Sequence, residues 1–141
     1  MTTTCAIQKT LSPNDLGETG GHQAGILVPK NPEILSYFPA LTRTSKNPRQ
    51  PLSFYEQDDV TKWDFVFIYY NNRFFGGTRN EYRLTWMTKY LRANNAKVGD
   101  QIELSINAEG RRHVKLIRKV GSADDDVLKL SGAWKVINLK K

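Results

Sequence analysis

The chain has 141 residues, 39% of them hydrophobic and including six Phe, six Tyr and three Trp, and its formal charge is +7. This apolar content excludes disorder, and one cysteine with two histidines excludes an internal disulfide and leaves too few ligands for structural zinc. The basic balance favours a polyanionic partner, of which nucleic acid is the commonest, over a merely soluble basic protein.

Residues 1–10 contain no apolar signal region, and no apolar run approaches a membrane span. The reading is one domain over residues 1–141, without membrane attachment, in a reducing cytoplasm. Cys5 to Leu11 reads as a first strand, broken by the turn formers Ser12-Pro13-Asn14-Asp15. Gly17 to Gln23 (GETGGHQ) is a polar, glycine-rich loop, and Gly25 to Pro29 a short buried strand. Asn31-Pro32-Glu33 starts a helix, with Asn as cap and Pro in the first turn, and Pro39 ends it. The loop from Leu41 to Pro51 carries Arg43, Lys46 and Arg49 with no acid, and Leu52 to Glu56 reads as a strand.

Trp63 to Tyr70 (WDFVFIYY), rich in aromatic and β-branched residues, is the plainest strand signal in the chain. Tyr82 to Thr85 returns as its antiparallel partner, and Thr85 is expected to cap a second short helix that ends at Asn94-Asn95. Alternation at Ile102, Leu104 and Ile106, a turn over Asn107 to Gly110, and Val114 to Arg118 form a hairpin. Gly121 to Asp126 reads as an acidic turn, and Val127 to Leu130 and Trp134 to Ile137 as closing strands. With no strand–helix alternation, the fold class is mainly β (α+β): a seven-stranded, open, antiparallel-rich barrel with two short helices.

No phosphate-loop, hydrolase-elbow, zinc-protease or dinucleotide motif is present. No Asp or Glu is followed two residues later by Lys, the acid-x-Lys that the commonest restriction nucleases use to hold a metal. Asp124-Asp125-Asp126 reads as an exposed turn rather than a cation site, and Cys5 as packing rather than as a nucleophile with His22 as base. The chain is therefore not expected to be an enzyme by itself, and no catalytic or metal-binding residue is assigned.

The densest functional signal is Tyr69 to Arg83 (YYNNRFFGGTRNEYR). Its glycines allow unusual backbone angles, but a loop tip does not need Thr78, Arg79, Asn80, Glu81 and Arg83 together. Arg pairs with guanine, Asn with adenine, and Glu accepts from the cytosine amino group, so these side chains suit a DNA major groove. The alternative is a solvated hairpin with a local Arg–Glu pair. In the other polar loop, Thr19 and the Gly20 and Gly21 amides suit phosphate and His22 and Gln23 suit a base edge, against a flexible tip with a lone surface His. Arg43, Lys46, Arg49, Lys9 and Lys30 are kept for the DNA backbone, whereas the run from Arg111 to Lys119 reads as a solvated face.

LSPNDLGETGGHQAGILVP together with YYNNRFFGGTRNEYRLT resembles the amino-terminal effector DNA-binding domain of EcoRII-type restriction endonucleases. YRLTWMTKYLRANNAKVGDQIEL also resembles the plant B-three DNA-binding domain. The resemblance spans roughly Lys9 to Ile106. It implies a seven-stranded pseudobarrel that grips the major groove with an N-arm and a C-arm, and a short C/G-rich site, CCWGG in the type enzyme. It also implies a nuclease in a separate carboxy-terminal domain in cis, which alone would use Mg²⁺; DNA binding needs no cofactor. His22 matches the N-arm position, and Arg79, Glu81 and Arg83 match the C-arm. Gly77 and Tyr82 stand where the family has lysines, and Leu27 where it has a tyrosine.

Base contacts are accordingly assigned to Arg79, Glu81, Asn80, His22, Asn14 and Asp15. Contacts to the DNA backbone are assigned to Lys9, Ser12, Thr19, Gly20, Gly21, Gln23, Asn72, Arg73, Thr78, Arg83, Arg43 and Lys46. The isolated domain is expected to be monomeric and bacterial. A methylcytosine sensor, a nuclease with an unrecognised site, and a protein- or RNA-binding barrel are the alternatives.

Overall fold

In the computed structural model the described residues are 3–17, 25–42, 44–119 and 134–137. The strands are β1 (Thr3–Thr10), β2 (Ile26–Val28), β3 (Arg49–Tyr55), β4 (Lys62–Tyr70), β5 (Glu81–Thr85), β6 (Gln101–Asn107), β7 (Arg112–Ile117) and β8 (Trp134–Ile137). They form one eight-stranded sheet in the order β2-β5-β4-β3-β7-β6-β1-β8. All neighbours are antiparallel except β3 and β7, which meet in parallel at Phe54 and Tyr55. The sheet curls until its first and last strands approach, and the Trp134 indole Nε1 on β8 donates to the Leu27 carbonyl on β2 at 3.0 Å. This is the expected open pseudobarrel, with eight described strands where seven were read.

Most strands turn one row of apolar side chains inward, whereas β4 is buried on both faces from Phe65 to Tyr69. Ile7, Phe54, Phe65, Phe67 and Leu104 meet in the interior with no measurable exposure. Two helices plug the barrel. In α1 (Pro32–Leu35), Asn31 Oδ1 accepts from the Glu33 amide as expected, but regular helix stops at Leu35. Single turns carry the chain on to Phe38, whose amide donates to the Leu35 carbonyl.

Three local expectations are corrected. β3 begins at Arg49 rather than Leu52, because its first half pairs only with β4 and Pro51 needs no donor towards an unpaired edge. Thr85 does not cap α2 (Thr88–Ala93): it is buried within β5, and its hydroxyl donates to the Val66 carbonyl, leaving Met87 at the cap. β5 begins one residue earlier than read, at Glu81. The turn at 121–126 and the strand at 127–130 lie outside the described residues.

Asp100 ties α2's exit to the β6–β7 hairpin. Its carboxylate accepts from the Lys119 amide at 2.8 Å, the Lys97 amide at 2.9 Å and the Arg118 guanidinium at 3.3 Å. Burial raises its pKa, but these donors outweigh burial and hold the carboxyl below its ordinary value. A depressed folded-state pKa gives stability that is present above the unfolded value, about 4 for Asp, and is lost as pH falls through the folded value. Asp100→Asn should therefore melt below the wild type at pH 7, and the gap should close as the pH drops below about 4. Thermal melts over that range are the check; a gap independent of pH would deny the carboxylate this role.

Candidate nucleic-acid interface

The loop from Asn71 to Asn80 is a braced structure rather than a simple hairpin tip. Asn71, at 1% exposure, is its anchor. Its side-chain oxygen accepts from the Asn47 amide at 2.6 Å, its amide group donates to the Ser45 carbonyl at 3.0 Å, and its backbone N–H donates to Asn47 Oδ1 at 3.2 Å. The segment carrying Lys46 is thereby fastened to the foot of this arm. A 3-10 turn at Asn72–Phe75 then reverses the chain, with Gly76 left-handed at φ 94°. Asn72 Oδ1 accepts from the Arg79 amide at 2.7 Å, and the Arg73 amide donates to the Arg79 carbonyl at 2.9 Å. A Cβ on Gly77 would lie 2.6 Å from Asn72 Oδ1, so the bare glycine permits this closure.

The arm delivers a planar cluster to the start of β5. Glu81 Oε2 accepts from Arg79 Nη2 at 2.6 Å and from Arg83 Nε at 2.8 Å. The Arg79 guanidinium lies 3.9 Å over the Tyr70 ring. The Tyr69 hydroxyl donates to Asn80 Oδ1 at 2.7 Å, and the Tyr69 and Tyr82 rings stack with centroids 4.2 Å apart. Partial burial raises the Glu81 pKa, yet the bonds from Arg79 and Arg83 and their charges outweigh it and hold the carboxyl below its ordinary value. Side-chain exposure grades the roles: 38% for Arg79 and 30% for Glu81, against 8% for Arg83. Arg79 and Glu81 face solvent, while Arg83 acts as a strut that also donates to the Gly25 carbonyl at 3.3 Å. Arg73 and Thr78 are exposed on the arm, and Asn72 is half-buried inside it.

The turn that follows β1 is equally braced. Lys9 Nζ donates to Asp15 Oδ2 at 2.8 Å, with both side chains under a tenth exposed. Asp15 Oδ2 also accepts from the Ser12 amide at 2.9 Å, and the Asp15 amide donates to Ser12 Oγ at 3.2 Å. Lys9, Ser12 and Asp15 are thus gathered into a closed network, and a phosphate or base would have to displace a buried partner to reach Lys9 or Asp15. Asn14 is half-buried beside them. Thr19, Gly20, Gly21, His22, Gln23 and Arg43 lie outside the described residues.

The β2–β5 register fixes where the two polar segments meet the sheet. Val28 pairs with Tyr82 and Ile26 with Leu84, so Gly25 lies beside the far end of β5. The 71–80 loop therefore enters β5 at Glu81, whereas Gly25 enters β2 at the level of Leu84 and Thr85. The basic run from Arg111 to Lys119 behaves differently. Arg111 and His113 meet Asp59 at 3.2 and 2.7 Å, Lys115 lies 3.9 Å from Glu103, and Arg118 lies 3.3 Å from Asp100. Among the described residues no group of three or more His, Cys, Asp or Glu is gathered for a metal, and no helix is long and apolar enough to cross a membrane.

The sequence reading missed the supports: Asn71 with Asn47, Tyr69 with Asn80, and the strut role of Arg83. Arg83 shared the Arg-x-Glu-x-Arg pattern with Arg79. Alternation along β5 was the available signal that Glu81 and Arg83 share one face.

The family model for the N-terminal domain of restriction endonuclease EcoRII matches residues 1–104. The type II restriction enzyme EcoRII of Escherichia coli is 42% identical over 79 residues, covering 55% of this chain and 19% of that enzyme. The match thus spans about a fifth of the enzyme's length. Among solved structures, the Arabidopsis FUS3–DNA complex aligns with a TM-score of 0.61 at 18% identity, over 80% of this chain and 96% of that one. The B3 domain of the UbaLAI restriction endonuclease, solved with cognate DNA, aligns with a TM-score of 0.51 at 20% identity, over 81% and 66%. These two likenesses show a common fold, and the family match reaches further: the chain belongs to the EcoRII N-terminal domain family of restriction endonucleases.

Proposed function

We propose that residues 1–141 form a single sequence-specific reader of double-stranded DNA, the effector and target-recognition domain of a restriction endonuclease. The observation that carries this reading is the half-exposed Arg79–Glu81 pair, held at the foot of a rigid arm by Arg83 and Tyr70. A local ion pair on an idle hairpin would not require this bracing. Arg79 donates to guanine O6 and N7, and Glu81 accepts from a cytosine amino group, which suits a CCWGG-like site. Both ion-pair contacts to Glu81 use Oε2, so Oε1 is the oxygen offered to the base. Asn80, Asn14 and His22 serve as secondary base contacts. Arg73, Thr78, Lys46 and Arg43 meet phosphates together with Thr19, Gly20, Gly21 and Gln23, while Lys9, Ser12, Asp15, Asn72 and Arg83 hold the arms in place.

The spacing of the arms supports the same reading. Four residue steps along β5 separate their feet by about 13 Å, close to the major-groove width of about 12 Å. The nuclease, with its Mg²⁺, belongs to a further domain in cis in the bacterial cytoplasm, and the isolated domain is a monomer that binds DNA without a cofactor. The UbaLAI domain was solved with cognate DNA and FUS3 with DNA, in keeping with this mode.

Selection of bound duplexes from a random pool, with and without cytosine methylation, tests the reading. Enrichment of one C/G-rich site that persists as salt rises is expected. Enrichment only from the methylated pool would instead make it a methylcytosine reader, and preference for RNA or cleavage by the clean domain would overturn it. Arg79→Ala should lose about 1–3 kcal/mol on the selected site and flatten discrimination at one base pair, measured by competition titration.

A further inference from the structure

Residue 86 is where β5 stops alternating. Leu84 faces the core at 1% exposure, and a continued strand would place residue 86 on the same side. Instead Trp86 adopts φ 68°, a left-handed backbone that is an outlier for so bulky a residue. Met87 fills the core at 2% exposure, and Trp86 is left 71% exposed. The chain thus strains its backbone to keep a tryptophan side chain in water, and strain of this kind is retained at binding surfaces.

The location says which surface. A Cβ on Gly25 would come within 2.0 Å of the Leu84 carbonyl oxygen and 2.7 Å of Thr85 Cα. Trp86 therefore stands beside the foot of the N-arm, at the end of β5 opposite the Arg79–Glu81 pair. The segment 86–99 adds exposed Lys89, Arg92 and Lys97 and contains no acid. An indole joins an apolar face to a single N–H donor. That combination matches a deoxyribose beside a phosphate, and the cationic surroundings favour it further.

We propose that Trp86 is a DNA-backbone contact outside the two arms, with its ring against a deoxyribose and its Nε1–H donated to the adjoining phosphate. The inference rests on the DNA-reading function above but on none of its base contacts. Trp86→Gly removes the ring and relieves the left-handed strain, whereas Trp86→Ala removes the ring and keeps the strain.

The test uses two 30-base-pair duplexes, one carrying CCAGG and one scrambled, at low salt. Both variants should bind both duplexes about tenfold more weakly than the wild type, by the same factor on each, because the contact carries no sequence information. Trp86→Gly should also melt about 4 °C above the wild type. In the wild type, duplex should shield the exposed indole from acrylamide quenching; Trp86→Gly should lack this shielded component. Wild-type affinity in both variants, or a Trp86 still quenched in the saturated complex, overturns the inference alone and leaves the ring to a protein partner. A wild-type domain that ignores both duplexes removes the reading on which it rests.

Discussion

Gly25→Ala should leave little folded protein. Gly25 has φ 76°, and a Cβ there would sit 2.0 Å from the Leu84 carbonyl oxygen and 2.7 Å from its carbon. The obstacle is backbone in the β2–β5 ladder, so no side-chain rotation relieves it. The left-handed angle alone costs about 1–2 kcal/mol for a residue with a Cβ. Moving β2 off β5 then sacrifices ladder bonds and core contacts of Ile26 and Val28, taking the total above about 4 kcal/mol. A domain of this size has only about 5–15 kcal/mol to lose. Gly76→Ala is the internal control, with φ 94° but nothing within 4 Å of the added carbon. It should cost about 1–2 kcal/mol, from strain alone. Denaturant unfolding of the two variants separates clash from strain. Near-equal midpoints would mean that Gly25 does not lie against β5.

The structure explains which features could be read without it. β4 was legible because five of its nine residues are buried, and a continuous aromatic and β-branched run has no other stable home. The glycine pair at 76–77 and the Arg-x-Glu pair marked the 71–81 segment because each needs a special backbone or partner. Less legible was anything settled by a distant residue. Asn71 looks like a turn former in sequence, yet its role depends on Asn47 and Ser45, 24 and 26 positions away. Lys9 and Asp15 read as DNA contacts in sequence, and only the fold reveals that they bury each other. Thr85 has the ideal composition for a helix cap, but the Val66 carbonyl across the sheet takes its hydroxyl first. Trp86 misleads in sequence: at i, i+4 from Tyr90 it reads as an apolar partner on the second helix, whereas it precedes α2 and is 71% exposed.

Glu81→Gln should separate discrimination from affinity. In the wild type one carboxylate oxygen holds both Arg79 and Arg83, at 2.6 and 2.8 Å. An amide keeps the size of the side chain, but its oxygen no longer carries charge and half of its polar surface donates. The cytosine amino group then loses an acceptor, and Arg79 loses the partner that aims it, so about 3–4 kcal/mol of preference for the selected site should disappear. Non-specific binding should move the other way. One negative charge is gone from the interface and two guanidiniums are less restrained, so scrambled duplex should bind more tightly, with a salt slope steeper by about one. The depressed Glu81 pKa adds a second signature. Its carboxylate stays ionised as pH falls towards the ordinary glutamate range near 4, so wild-type discrimination should hold down to that range and fail below it, whereas the Gln variant shows no such step. Titrations of selected and scrambled duplex against salt and pH carry all three readouts. A variant that weakens both duplexes equally and keeps its preference would make Glu81 a brace for the arm, and would move the cytosine acceptor to another residue.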